Sequence, residues 1–174
     1  MANGTLKVSN IQTSSGSGTI TIGQSGESIA GIVTNTPSFQ VKKTAVQSIS
    51  SGSFTKLTWD AEDWDTDSAF ASDKFTVPTN EAGKYYLQLT TEMAGIDDAE
   101  YVQVLFYKNG SSQAGTTARW YAPSASDDVR ARTDVILDLA ASDYVEAYVY
   151  HNEGGAVNAS NIETFFRGFK LIGA

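Results

Sequence analysis

The stretch DYVEAYVYH, residues 143–151, sorts into two sets of side chains when read as a strand. Val145, Ala147 and Val149 share one face, and Tyr144, Glu146, Tyr148 and Tyr150 share the other. A strand packed on one side only alternates apolar with polar residues. Here the first face suits a core, but the second carries three tyrosines and needs a cover of its own.

The same two-sided pattern recurs. Over Tyr101–Lys108, Val102, Val104 and Phe106 oppose Tyr101, Leu105 and Tyr107. In IETFFRGFKLI, residues 162–172, Phe165, Arg167, Phe169 and Leu171 oppose Phe166, Gly168, Lys170 and Ile172. Strands are expected at Phe39–Ala45, Phe54–Trp59, Lys74–Pro78, Lys84–Met93, Tyr101–Lys108, Ser112–Tyr121, Val129–Leu139, Tyr144–His151 and Ile162–Ile172. Asn109-Gly110 separates two of these runs with residues that tolerate the positive φ angles of a tight hairpin. No segment sustains a helical period. Many short strands with closely spaced turns predict an all-β fold, an antiparallel sandwich or jelly roll. Each aromatic side chain buries on the order of 150–250 Å². A sheet exterior made of such rings predicts a symmetric subunit interface, with tyrosines lying flat on the surface or under a loop as the alternative. Its expected members are Tyr101, Tyr107, Tyr144, Tyr148, Tyr150 and Phe166.

The chain has 174 residues, enough for one domain with an extension, and no cysteine. Disulfides and thiolate metal sites are therefore excluded. No apolar run is long enough to cross a membrane, so membrane insertion is not expected. The net charge is −8, and residues 1–50 carry Lys7, Lys42 and Lys43 against Glu27 alone, so the acidity lies downstream. An acidic body argues against a nucleic-acid partner. Residues 1–36 are rich in Ser, Thr, Gly and Asn and lack aromatics. Short pieces such as TLKV and TITI cannot build a core alone. They are read as an arm, a docking peptide or a stem completed by other copies, ahead of a domain at 37–174. The opening MANGTLKVSN lacks the apolar core of a secretory signal.

Little in the sequence points to catalysis, and no enzyme activity is expected. His151 is the single histidine, and no nucleophile-elbow pattern accompanies it. Carboxylates cluster in DAEDWDTD (Asp60, Glu62, Asp63, Asp65, Asp67), at Asp97, Asp98 and Glu100, and at Asp127-Asp128. Solvated loops explain them, with calcium as an alternative, although no loop has EF-hand spacing; no other cofactor is expected. Paired carboxylates for glycoside hydrolysis are a further alternative, but any acidic loop offers such pairs. Asn3, Asn109 and Asn158 open N-x-S/T patterns, and the turn already explains Asn109. Trp64, in the acidic loop, and Trp120 and Tyr121, before the loop APSASDD, are the candidate sugar-binding platform, with core-edge or intersubunit packing as the alternative.

The middle of the chain resembles the tumour necrosis factor and complement globular-head superfamily. Trp59, Asp65, Phe70, Phe75 and then Gly83-Lys-Tyr85-Tyr-Leu87-Gln-Leu89 follow that family's signature, most closely in KFTVPTNEAGKYYLQL. FYKNG looks like its hairpin, AASDYVEAYVY like its penultimate strand and FFRGFKLI like its closing strand. The spacing around Phe75 departs from the usual pattern, and Leu87 and Leu89 replace aromatics. The resemblance, over roughly residues 37–174, implies a ten-stranded jelly roll that forms a homotrimer with aromatic strand faces at the axis, and places Trp59 in the core. The N-terminal segment resembles the ends of small bacteriophage fibre and virion structural proteins. That implies a virion component held to other virion proteins through its arm, located on the particle surface, and released without a secretion signal. The expected role is a trimeric fibre or receptor-binding appendage engaging a host surface glycan. The alternatives are a capsid decoration protein and a secreted cytokine-like or lectin-like module.

Overall fold

The computed structural model describes residues 35–172. The arm expected over residues 1–36 lies outside the described residues except for its last two. Among the described residues every regular element is a strand, and every strand pairing is antiparallel. The first sheet runs β2 (Gln47–Ile49), β13 (Val157–Ala159), β7 (Gly83–Ile96), β14 (Phe165–Lys170), β1 (Ser38–Lys42), β4 (Ala61–Asp65), and β11 (Asp127–Leu139) also pairs with β7. The second runs β10 (Ala118–Tyr121), β8 (Tyr101–Lys108), β12 (Tyr144–His151), β6 (Lys74–Thr76), β5 (Phe70–Ala71). There β3 (Thr55–Lys56) adds to β12, and β9 (Ser111–Ser112) adds to β8.

The inward faces are the apolar sets of the alternation. Val145, Ala147 and Val149 of β12 and Val102, Val104 and Phe106 of β8 are fully buried, as are Leu87 and Leu89 of β7 and Phe39 and Val41 of β1. An aromatic cluster joins the sheets. Phe39 stacks on Phe75 at 4.7 Å and meets Phe166 edge-on at 4.9 Å, while Phe166 also meets Phe106 at 5.4 Å. Trp59 packs on the rim of this cluster, 6.1 Å from Phe166. Gly168 lies beneath it. A Cβ there would come within 2.6 Å of Leu87 Cδ2, 2.9 Å of the Tyr86 carbonyl oxygen and 3.0 Å of Phe39 Cε1. A side chain would push β14 away from β7 or displace Phe39.

Phe166 is therefore a core residue, not a member of an outer face as the sequence reading had it. The outward residues of β14 are Phe165, Arg167 and Phe169. The alternation was correct, but its two faces were exchanged. The residue sharing a face with Phe166 is Gly168, and a glycine marks the crowded side of a strand. The segment DAEDWDTD differs too. Its composition predicts a loop, yet Ala61–Asp65 is an edge strand paired with β1. Bonded on one side only and lying mostly in water, it needs no apolar alternation, and charge at an edge deters stray pairing. The run Ser112–Tyr121 is broken into β9 and β10.

Asn109 and Gly110 adopt φ angles of 52° and 77° between β8 and β9, as the hairpin motif requires. Asp143 anchors this turn. Its carboxylate accepts from Asn109 Nδ2 and from the Ala140 amide, both at 2.8 Å, and pairs with Lys108 Nζ at 2.8 Å. The Lys108 and Asn109 side chains hold its carboxyl down at a pKa of about 2.

Two outcomes follow from this packing. Gly168→Ala should destabilise the fold by about 1–3 kcal/mol, the usual cost of overpacking, measured as a lower urea midpoint at unchanged slope. Because the folded-state pKa of Asp143 lies below the unfolded value of about 3.9, its contribution is complete above that value and is lost as pH falls towards about 2. Asp143→Asn should therefore lower stability near neutrality and flatten the acid limb of the stability curve between about pH 4 and 2, measured by urea unfolding at each pH.

Candidate functional site

With the inner faces assigned, the outer faces follow by alternation, and both are aromatic. On the second sheet Tyr101, Tyr107, Tyr144, Tyr148 and Tyr150 all point outward and are half-buried. Their rings cover one another. Tyr107 stacks on Tyr148 with centroids 3.9 Å apart, and Tyr101 stacks on Tyr150 at 5.6 Å. Tyr121 and Phe54 extend the row at 5.4 Å and 5.2 Å. Beneath them, the outward-facing Leu105, Gln103 and Glu146 are already buried. Cations close the ends. The Arg119 guanidinium lies 4.1 Å over Tyr101 and donates to Gln103 Oε1 from Nε at 3.1 Å and from Nη2 at 2.8 Å. Lys74 lies 4.3 Å over Tyr144, and Lys56 pairs with Glu146 at 2.8 Å. Partial burial, with Glu146 nearby, raises the pKa of the Tyr148 hydroxyl.

The outer face of the first sheet is built in three rows across β11, β7, β14 and β1. One row is Ile136, Tyr86, Phe169 and Ser38; the next is Asp134, Gln88, Arg167 and Gln40, continued by Trp64 of β4; the third is Arg132, Thr90, Phe165 and Lys42. Here Tyr86 and Phe169 meet at 5.4 Å, and the remaining rings leave space between them. Trp64, Tyr86, Phe169, Gln88 and Arg167 wall a hollow of about 470 Å³. A second hollow of about 390 Å³ lies among Trp120, Phe165, Thr90, Arg130 and Arg132. Trp64 is 46% exposed, Trp120 40% and Ile136 56%. A hydrogen-bonded chain crosses the face. Gln88 Nε2 donates to the Tyr86 hydroxyl at 3.1 Å, Arg167 Nε donates to Gln88 Oε1 at 2.7 Å, and Gln40 Nε2 donates to Asp63 at 2.6 Å.

The three residues expected to form a sugar platform are thus divided. Trp120 and Tyr121 are neighbours in a strand and point to opposite sides. Tyr121 joins the tyrosine row, while Trp120 lines a hollow of the first sheet with Phe165. Trp64 lies on the same exterior as Trp120, in the other hollow. Sequence reasoning missed Tyr86, Gln88 and Phe169. The available signal was GKYYLQL, where the residues flanking Leu87 and Leu89 must face outward.

His151 is fully buried. Its Nε2 lies 2.9 Å from the Ile49 carbonyl oxygen, and its Nδ1 accepts from the Glu153 amide at 3.4 Å. Both ring nitrogens are engaged by backbone. The acidic residues serve local structure as well. Asp60 accepts from the Thr44 and Ala45 amides, Asp65 from the Ala69 and Phe70 amides at 3.0 and 2.8 Å, and Asp97 from the Ser126 amide at 3.1 Å. Among the described residues no three His, Asp or Glu side chains converge on a space that would hold a metal ion.

Neither a protein-family model nor a curated protein sequence matches the chain. Solved structures do. The globular domain of zebrafish complement 1qA superposes with a TM-score of 0.56 at 17% identity, covering 78% of this chain and 97% of that one. Murine APRIL gives 0.57 at 14%, covering 77% and 98%. Eiger TNF from S. frugiperda gives 0.55 at 12%, covering 79% and 93%. The sandwich is therefore a jelly roll like those of tumour necrosis factor and the complement globular heads, as the sequence resemblance implied.

If the tyrosines of the second sheet cap one another within a single chain, Tyr107 and Tyr148 must be coupled. Unfolding free energies of Tyr107→Ala, Tyr148→Ala and the double variant should give an interaction term of about 0.5–1.5 kcal/mol. Strict additivity would show that the stack contributes nothing in the folded chain.

Proposed function

We propose that this chain is a non-enzymatic structural protein of a bacteriophage virion. It works as a homotrimer closed through the outer face of the first sheet. The first 36 residues dock to other virion proteins, and the tyrosine face, with Tyr121 and Arg119, is turned towards a host surface glycan. The observation that carries the assembly is the contrast between the two exteriors. Rings of the second sheet form a continuous row, whereas on the first sheet only Tyr86 and Phe169 meet, at 5.4 Å, and Trp64, Phe165 and Trp120 stand around open hollows. An unfilled apolar face gains most from a second copy, since each covered ring leaves water and acquires contacts it lacks. In this reading Trp64 and Trp120 serve assembly, which leaves Tyr121 for the ligand. The composition of residues 1–36 supports a docking arm, and the backbone engagement of both His151 nitrogens supports the absence of catalysis.

Sedimentation and native mass spectrometry of the full chain test this directly. The wild type should have three times the 18.6 kDa chain mass. Phe169→Lys should be a folded monomer, because an unpaired ammonium beside Arg167 in a closed interface costs several kcal/mol. Tyr148→Asp should stay trimeric with a lower melting temperature. The reverse result would move the interface to the tyrosine face. A wild type that stays a single copy at micromolar concentration would end the assembly reading. Labelled particles imaged by electron microscopy then separate the roles: copies at the tail mean a fibre, and many copies on the head mean capsid decoration.

A further inference from the structure

Arg167 occupies the middle of the outer face of the first sheet, in the row Asp134, Gln88, Arg167, Gln40, Trp64. The cations around it are paired: Lys42 with Asp63, Arg130 with Glu92 and Glu163, and the more distant Arg132 with Asp134 at 3.9 Å. Arg167 has no acid among the described residues. Its Nε is held by Gln88 Oε1 at 2.7 Å, its Nη1 reaches Gln40 Oε1 at 3.5 Å, and its guanidinium carbon lies 4.9 Å from the Phe165 ring centre. Nη2 makes no hydrogen bond among the described residues. Arg119, the other arginine without an acid, differs because Gln103 engages its Nε and Nη2 and Tyr121 accepts from its Nη1 at 3.4 Å. Arg167 is thus a fork fixed at one end, with its free edge beside the 470 Å³ hollow. That edge has the geometry for a carboxylate.

We infer that Arg167 receives a carboxylate from an edge strand of a second copy of the chain. This rests on the assembly reading given above. A twofold pair would bring the middle of one face against the middle of the other, setting the two Arg167 guanidinium groups close together without acids. A ring uses two different patches, so a face can meet an edge. Acids outnumber bases 20 to 12 in the chain. Two exposed acids on the edge strands, Glu62 of β4 and Asp138 of β11, have carboxylates without a hydrogen bond or ion pair among the described residues.

The test compares full-length wild type, Arg167→Gln and Arg167→Lys by concentration-dependent sedimentation at low and high sodium chloride, with a thermal melt of each as a folding control. Arg167→Gln should assemble at least tenfold more weakly. Arg167→Lys should fall between, because it keeps the charge and loses the fork. The advantage of the wild type should shrink in high salt. Glu62→Gln or Asp138→Asn should reproduce the loss and add nothing further in the Arg167→Gln background. Equal assembly of wild type and Arg167→Gln overturns the inference while leaving the trimer standing, as does additivity of both acid variants. A monomeric wild type overturns both. Sodium glucuronate serves as a soluble probe. Saturable binding to the wild type that is lost in Arg167→Gln, with assembly unchanged, would assign the site to an acidic saccharide and overturn the second-copy assignment.

Discussion

The packing of Phe39 on Phe75, at 4.7 Å, and of Phe166 against Phe106, at 5.4 Å, joins the two sheets, and the edge-on contact of Phe39 with Phe166 inside the first sheet locks the two together. β14 lies between β1 and β7, and Gly168 lets the three backbones approach where Phe39 and Leu87 crowd in. Side chains in a strand alternate with a period of two, so a single inward residue determines every other one. With Phe166 inside, Phe165, Arg167 and Phe169 must be outside. With Leu87 and Leu89 inside, Tyr86, Gln88 and Thr90 are outside, and with Phe39 and Val41 inside, Gln40 and Lys42 are outside. The outer face of the first sheet is thus the obligatory reverse of the aromatic core.

That logic explains what could be read from the sequence. In β12 and β8 one set is aliphatic or phenylalanine and the other is mainly tyrosine, so the inner face is unambiguous. The outward positions of Tyr101, Tyr107, Tyr144, Tyr148 and Tyr150 follow without a structure. In β14 both sets contain phenylalanine, and hydrophobicity cannot rank Phe165 and Phe169 against Phe166. Only Gly168 breaks the tie, through a steric requirement that is invisible until β7 and β1 are placed beside it. Trp120 and Tyr121 show a different limit. Adjacent residues of a strand point to opposite faces, yet these two look like one platform when the local conformation is unread. β4 was lost for a third reason. An edge strand in water has no apolar pattern to display, and AEDWD has the composition of a loop.

The two exteriors contain similar residue types in different arrangements. On the second sheet the tyrosines stand beside one another, so their faces meet and their hydroxyl-bearing ends meet water. Such a surface has already gained much of what burial offers, and tyrosine tolerates a wet rim. On the first sheet the exposed apolar side chains are Trp64, Trp120 and Ile136, set among exposed Arg132, Asp134 and Arg167 and half-buried Tyr86, Phe165 and Phe169. Those three have no hydroxyl to offer solvent, and the hollows beside the two tryptophans deprive them of contacts. Counting aromatic residues ranks these faces as equals; the packing of the rings does not.

Likeness to solved complement and tumour necrosis factor domains at 12–17% identity carries the fold and nothing more. What this chain does with the fold depends on its charges. At −8 net, any two copies repel at long range. At physiological salt the Debye length is about 8 Å, so only charges near the contact matter once two copies touch. On the outer face of the first sheet four acids, Asp63, Glu92, Asp134 and Glu163, stand against Lys42, Arg130, Arg132 and Arg167, and because Arg130 takes two of them Arg167 has no acid of its own among the described residues. That face is close to neutral on a protein that is acidic as a whole. A carboxylate brought to the free edge of Arg167 would meet attraction there and repulsion from the acidic remainder. In the proposed assembly apolar shape would supply the driving force for association, and Arg167, unlike the paired cations around it, would supply its direction.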